Sequence, residues 1–123
     1  MTDKPLEAAA RRVGATAILD LSGEINSFAD SVLNAAYAEA VRDEPDAVIL
    51  NFTDVTYINS TGIALIVGLL AQARKSHRKV IAYGLTEHYQ RIFEITRLSY
   101  FMSIHSDEAE SLADIVSASD TKK

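Results

Sequence analysis

Two adjacent hydroxyls, Ser60 and Thr61, stand between Asn59 and Gly62 and open an apolar run, Ile63 to Ala71, that carries no charge. Residues of these types support two kinds of chemistry. As plain structure, a side-chain oxygen of Asn59 or Ser60 caps the first turn of a helix and stabilises it by ~1 kcal/mol. The run behind it is then core, each fully buried Leu or Ile contributing ~1.5 to 3 kcal/mol. A cap alone leaves Gly62 and the second hydroxyl without a purpose, because glycine is costly inside a helix. The other chemistry is modification. A first turn bared by Gly62 exposes the neighbouring hydroxyl to another protein's active site, and free N–H groups with the helix dipole hold an anion there. Phosphate on Ser60 or Thr61 adds about −1.5 to −2 units of charge, tolerable to a helix start and disruptive to a partner docked on an apolar surface.

Other chemistries find little support. His77, His88 and His105 share no i, i+4 spacing and no obvious carboxylate partner, so surface or packing roles are expected and no metal site is assigned. A nucleophile elbow, G-x-S-x-G, would need glycine at Ile58. No glycine-rich loop of the G-x-x-x-x-G-K-[ST] type is present, so the chain is not expected to use ATP itself or to be an enzyme. No cofactor is expected. The cluster Arg74 to Lys79, "RKSHRK", reads most simply as a solvated helix end where positive charge suits the dipole, with a basic docking patch as the lesser alternative.

The elements that position the quartet follow from periodicity. Ala17, Leu19 and Leu21 alternate with Thr16, Ile18 and Asp20, which predicts a strand, with a turn at Ser22-Gly23. From Ala29, the residues Leu33, Ala36, Tyr37, Ala40 and Val41 recur at helical spacing until Pro45 forbids continuation. Ala47–Leu50 and Val80–Leu85 are short continuous apolar runs, expected of strands covered on both faces. Between them a helix is expected from about Thr61 to Ser76, making a βαβ unit. A third helix near His88 to Thr96 packs Tyr89, Ile92 and Phe93, and "FMSI", 101–104, is a short last strand. Ser106 is expected to cap a fourth helix with Asp107 and Glu108 in its first turn and Ala109, Leu112, Ala113 and Val116 on its buried stripe. Leu6 to Val13 reads equally as a helix or as the first arm of a hairpin turning at Gly14.

The sum is an α/β fold: a mixed β-sheet of four or five strands flanked by about four helices. At 123 residues one domain, 6–116, is expected, with frayed ends over 1–5 and 117–123. A formal net charge of −5 argues against nucleic acid and anionic membrane as partners and leaves protein. The chain has no cysteine, which fits a reducing compartment, with cytoplasm as the default. The longest apolar stretch is far below the ~20 residues of a spanning helix, so no membrane insertion is expected.

Three segments in order carry a resemblance to a known family. "LSGEIN", Leu21 to Asn26, is similar to G-E-[LIV]-D; "NFTDVTYINSTG", Asn51 to Gly62, resembles D-L-S-x-V-x-F-I-D-S-[ST]-G; "SYFMSIHSDEAESL" is similar to a closing strand, cap and helix. These are motifs of the STAS domain, and within it of the bacterial anti-sigma factor antagonists. The resemblance covers roughly Ala15 to Val116 and resolves Leu6–Val13 toward a hairpin. It implies phosphorylation at Ser60, with Thr61 as second choice, by a partner that is both anti-sigma factor and serine kinase, and reset by a metal-dependent serine phosphatase. The docking face it implies comprises Asn26, Asn59, Ser60, Thr61 and Gly62. The chain departs from the pattern at Asn26, Asn51 and Asn59, each standing where the family carries aspartate. An amide keeps the accepting oxygen and loses the charge. Those losses motivate a second expectation, a constitutive STAS adaptor or accessory subunit of a stress-signalling, transport or lipid-trafficking complex. Arg97 stands where the family often has glycine, so the residue is either strained or in a loop that differs. The oligomeric state is not set by the sequence.

Overall fold

The protein, seen in a computed structural model that describes residues 4–121 and side chains through residue 116, is built on one five-stranded sheet. The hairpin reading of the first segment holds: β1 (Glu7–Val13) pairs antiparallel with β2 (Thr16–Ile25) across Gly14. The chain continues through α1 (Asp30–Ala40), β3 (Ala47–Ile58), α2 (Ser60–Lys75), β4 (Lys79–Tyr83), α3 (Glu87–Ile95), β5 (Ser103–His105) and α4 (Glu108–Thr121). Strand order follows chain order, and β2 to β5 are mutually parallel. Parallel neighbours need crossover connections, which α1, α2 and α3 supply.

The two sheet faces are covered unequally. Ala17, Leu19, Val48, Leu50 and Ala82 join Leu33 and Tyr37 of α1, Ile66 and Leu69 of α2 and Phe93 of α3 in the main core. Phe93 stands edge-on to Phe52 at 5.9 Å. On the opposite face Ile18, Ile49, Ile81 and Tyr83 meet Leu112 and Ile115 of α4. Two-sided cover explains why Thr16 to Leu19 are all buried despite their alternation.

Several expectations need correction. The chain does not turn at Ser22-Gly23: β2 runs on to Ile25, with Gly23 at φ +99°, where its missing side chain admits the carbonyls of Lys4 and Pro5. Lys4 O accepts from Glu24 N at 3.0 Å, so pairing begins before the expected start at Leu6. Strand β3 reaches Ile58, well beyond the apolar run that announced it, and β5 starts two residues later than "FMSI" and ends one residue past it. Asp107, not Ser106, caps α4, its carboxylate accepting from Glu110 N at 2.9 Å. The stripe of α4 also differs. Ala109, Ala113 and Val116 are exposed, while Ser111, Leu112 and Ile115 face the sheet. Polar partners set this rotation: Glu108 reaches Tyr83 and Arg11, and Asp114 reaches Lys79 and His105. The backbone of α4 continues to Thr121, past the expected boundary at Val116. Residues 1–3, 122 and 123 of the expected frayed ends lie outside the described residues.

Candidate functional site

The site forms where three elements end together. Asn59 follows β3, β2 ends at Ile25 beside it, and the N–H of Asn59 donates to Ile25 O at 3.2 Å. The N–H of Ile58 donates to the Tyr89 hydroxyl at 3.0 Å, which ties α3 to the same corner. Asn59 is extended, with φ −97° and ψ −176°, and its side-chain oxygen accepts from Gly62 N at 2.9 Å. Capping of α2 is therefore done by Asn59. Ser60 and Thr61 are exposed, and among the described residues neither hydroxyl has a hydrogen-bond partner. The two open expectations thus separate: the amide caps and the hydroxyls are spare.

Gly62 belongs to the site for a different reason than the sequence suggested. It is buried, and a Cβ there would lie 2.0 Å from Ile25 O and 3.0 Å from Ile58 Cγ2. Its missing side chain faces inward, letting the first turn of α2 lie directly on the end of β2. Gly62 offers no surface for a partner. The accessibility of Ser60 comes from its place on the outer side of that turn.

The three asparagines that stand in place of aspartate are all engaged. Asn26 Oδ1 accepts from Phe28 N at 2.9 Å and its Nδ2 donates to Glu24 at 3.3 Å. Asn51 Nδ2 donates to Asp20 at 2.8 Å while its oxygen accepts from Thr53 N. At both positions the donating amide neighbours a carboxylate that an aspartate would repel. Only Asn59 uses its oxygen alone, a role aspartate would fill equally.

Sequence reasoning missed the apolar part of this surface. Phe28 lies in the 3₁₀ turn Ser27–Ala29, which packs beside α2, and is 87% exposed. Tyr57, paired in register with Glu24, is half exposed. From Ser60 the outer face of α2 continues through Ala64, Val67, Gly68 and Ala71, all exposed and uncharged. The available signal was Phe28 itself, an aromatic residue fitting neither the period of the strand before it nor that of the helix after it. A lone aromatic in a polar turn declares no periodicity.

A second polar cluster sits on the α4 face. Arg11 binds Asp20 and Glu108, each at 2.6 Å, and Glu108 also accepts from the Tyr83 hydroxyl at 3.0 Å. Arg11, with help from Asn51, holds the Asp20 carboxyl below its ordinary range. Arg11 and then Tyr83 do the same to Glu108. Burial, followed by the Glu108 carboxylate, pushes the Tyr83 hydroxyl up to about 12. Asp114 accepts from His105 Nε2 at 2.9 Å and from Lys79 at 3.1 Å, and the Asp114 carboxyl is lowered by the His105 bond first. His105 thus has the carboxylate partner the sequence did not reveal, one built by the return of α4 over the sheet. Among the described residues no group of three or more His, Cys, Asp and Glu is placed to hold a metal, and no helix is long and apolar enough to cross a membrane.

Comparison with known proteins agrees with this geometry. An anti-sigma-B factor antagonist of Listeria monocytogenes is 29% identical over 90 residues, which span 73% of this chain and 79% of that protein. The crystal structure of an anti-sigma factor antagonist from Mycobacterium paratuberculosis superposes with a TM-score of 0.74 at 18% identity, covering 92% of this chain and 97% of that one. The Bacillus cell fate determinant SpoIIAA in its phosphorylated form superposes with a TM-score of 0.68 at 19% identity, covering 88% and 98%. These likenesses fix the fold, with its mixed five-stranded sheet and four helices. The family model of the STAS domain matches residues 7–111, and the chain belongs to the STAS domain family.

Proposed function

We propose that the protein is an anti-sigma factor antagonist-like binding module, switched by phosphorylation of Ser60. The observation that carries this reading is the division of labour at the start of α2: Asn59 caps the helix, so Ser60 is exposed with its hydroxyl unspent. The kinase is a partner serine kinase that doubles as an anti-sigma factor, and a metal-dependent serine phosphatase resets the switch. Likeness to anti-sigma factor antagonists, one of them in a phosphorylated form, supports the assignment. Asn26, Asn59, Ser60 and Thr61 form the polar part of the docking face. Phe28 and Tyr57 supply aromatic anchors of the kind that dominate interfaces. A phosphate on Ser60 would meet the Ser60 and Thr61 N–H groups and the positive end of α2. The same dianion would stand where the uncharged face of α2 must be desolvated by a partner.

Incubation with the cognate kinase and ATP, followed by mass spectrometry, should place one phosphate on Ser60, and on Thr61 only in Ser60→Ala. No phosphate on either residue would remove the regulatory half of the proposal. Ser60→Asp should weaken kinase binding by more than tenfold, and Phe28→Ala by about 30-fold, the size of an interface hot spot. The second reading, a constitutive adaptor, draws on the uncharged amides Asn26 and Asn59 at the docking face. It would be favoured if Ser60→Asp left partner binding unchanged. Neither reading makes the chain an enzyme or gives it a cofactor.

A further inference from the structure

Toward the end of α2 away from Ser60, two cavities share a wall. The larger, about 470 Å³, is lined by Arg74, His77, Arg78 and Lys79 on one side and by Ser99, Tyr100 and Ser103 on the other. The smaller, about 300 Å³, is lined by Val67, Ala71, Thr96 and Leu98. Leu70, Arg74 and Phe101 line both. One cavity is cationic and the next is apolar.

No carboxylate lines either cavity, in a chain whose 17 acidic residues outnumber its 12 basic ones. Two of the cations are held by acids outside the lining, Arg78 by Glu44 at 2.9 Å and Lys79 by Asp114 at 3.1 Å. Arg74 has no carboxylate partner among the described residues. Its guanidinium lies over the Phe101 ring, 5.0 Å from the centroid, which orients it and leaves its N–H groups for an anion. The hydroxyls of Ser99 and Ser103 are likewise without partners among the described residues. The turn that brings the cations together is itself strained. His77 has φ +56° at the position after the α2 cap, with its N–H on Arg74 O and the Arg78 N–H on Ala73 O. Glycine is the usual residue there, and a histidine costs ~1 kcal/mol or more. Strain of this kind collects at binding sites.

We infer that the double cavity binds a small amphiphilic anion, a phosphate or carboxylate head bearing an alkyl tail. The head sits against Arg74 and the His77–Lys79 turn, where charge-assisted hydrogen bonds are strongest. The tail lies along Val67, Ala71 and Leu98. The combined space suits a ligand of metabolite size. The head site at Arg74 lies ~20 Å along α2 from Ser60, at 1.5 Å of rise per helical residue, whereas the tail site at Val67 and Ala71 borders the uncharged face proposed for the partner.

The test is an amide NMR titration of the full chain with octyl phosphate below its micelle concentration, beside octanoate, inorganic phosphate and octyl glucoside. Octyl phosphate or octanoate should shift the amides of Leu70–Ala71 and Ser99–Ser103 saturably, at least tenfold more tightly than inorganic phosphate. Arg74→Gln should weaken that binding about tenfold while the remaining spectrum certifies the fold. Equal binding of octyl glucoside would overturn the anionic half, and equally tight inorganic phosphate the apolar half. Absence of saturable shifts at both cavities would overturn the whole. Sedimentation with phosphatidate–phosphatidylcholine vesicles separates the sources of such a ligand. Arg74-dependent co-sedimentation assigns a lipid headgroup, and octyl phosphate binding without it assigns a free metabolite. Phosphate transfer to Ser60 is no part of the readout, so failure here leaves the switch untouched.

Discussion

On one face of the sheet Phe52, Ile66, Leu69 and Phe93 interlock beneath three helices, whereas on the other Ile18, Ile49 and Ile81 meet, among the described residues, Leu112 and Ile115 of α4. The first face is held by apolar burial, which is non-directional and nearly indifferent to pH and salt. The second adds polar clasps at both ends of a narrow apolar strip, Arg11 to Glu108 at one and Lys79 and His105 to Asp114 at the other. The candidate switch and its partner surface are built on the first face, through α2. Ser60 stands on the outer side of the first turn of α2, whose inner side is packed on Ile25 through Gly62.

Phe93→Ala tests the first face most severely. Phe93 is fully buried at the edge of Phe52, and its loss should cost ~3 to 5 kcal/mol in urea unfolding, cooperatively across the chain. A cost below ~1 kcal/mol would erase the contrast between the faces. Gly62→Ala follows. A Cβ cannot stand 2.0 Å from a carbonyl oxygen, so α2 must lift from β2, at ~2 to 3 kcal/mol. Chemical shifts should move at Ile25, Ile58 and the first turn of α2, and remain still in α4.

The second face should yield to acid first. Asp20, Glu108 and Asp114 all have carboxyl groups lowered in the fold, so their contribution is complete above the ordinary carboxylate range near pH 4 and is lost as pH falls through their lower folded values. Tyr83 is raised from 10.0 to about 12, so its share is complete below pH 10 and is lost between 10 and 12. Hydrogen-exchange protection of α4, corrected for intrinsic rates, should fall before that of α1 and α2 as pH drops below the ordinary carboxylate range. Arg11→Met, which removes both ion pairs, should cost ~1 kcal/mol at low salt because these groups are over a third exposed on average, and less at 1 M salt. Simultaneous loss of protection in all helices would mean that the two faces unfold as one.

These differences mark what was legible in the sequence. Ala47–Leu50 announced a two-sided strand because four consecutive apolar residues need cover on both faces. Asn51 to Tyr57 did not announce the rest of β3, because that half extends into partly solvated surface where polar residues satisfy the strand equally well. The expected stripe of α4, Ala109, Leu112, Ala113 and Val116, holds at Leu112 alone, because helical spacing from Ala109 favours a face that leaves Ile115 out. The folded chain prefers Ser111, Leu112 and Ile115, since only that rotation lets Glu108 and Asp114 reach Tyr83, Lys79 and His105 from distant segments. The spare hydroxyl of Ser60 was announced by Asn59, a capping residue directly before it. Gly62 was the right residue read in the wrong direction, because only tertiary packing reveals that its bare side faces Ile25.

Arg97 makes the finest test of the first face. It follows α3 at φ +67°, ψ 17°, the conformation that favours the glycine its position resembles, and its guanidinium lies 6.0 Å from the Tyr100 ring centroid. Placing glycine there relieves a left-handed penalty of ~1 to 2 kcal/mol. Glycine also loses ~0.5 to 1 kcal/mol through the greater freedom of the unfolded chain, and the cation–π contact, worth ~0.5 kcal/mol when exposed, disappears. The net expectation for Arg97→Gly is a stabilisation of about 0.3 kcal/mol, read as a slightly higher urea midpoint with an unchanged slope. Arg97→Ala keeps the strain and drops the contact, so it should destabilise by about 0.5 kcal/mol. If Arg97→Gly destabilises more than Arg97→Ala, the left-handed turn is not strained, and the main core is carrying no cost at the end of α3 that its apolar packing must offset.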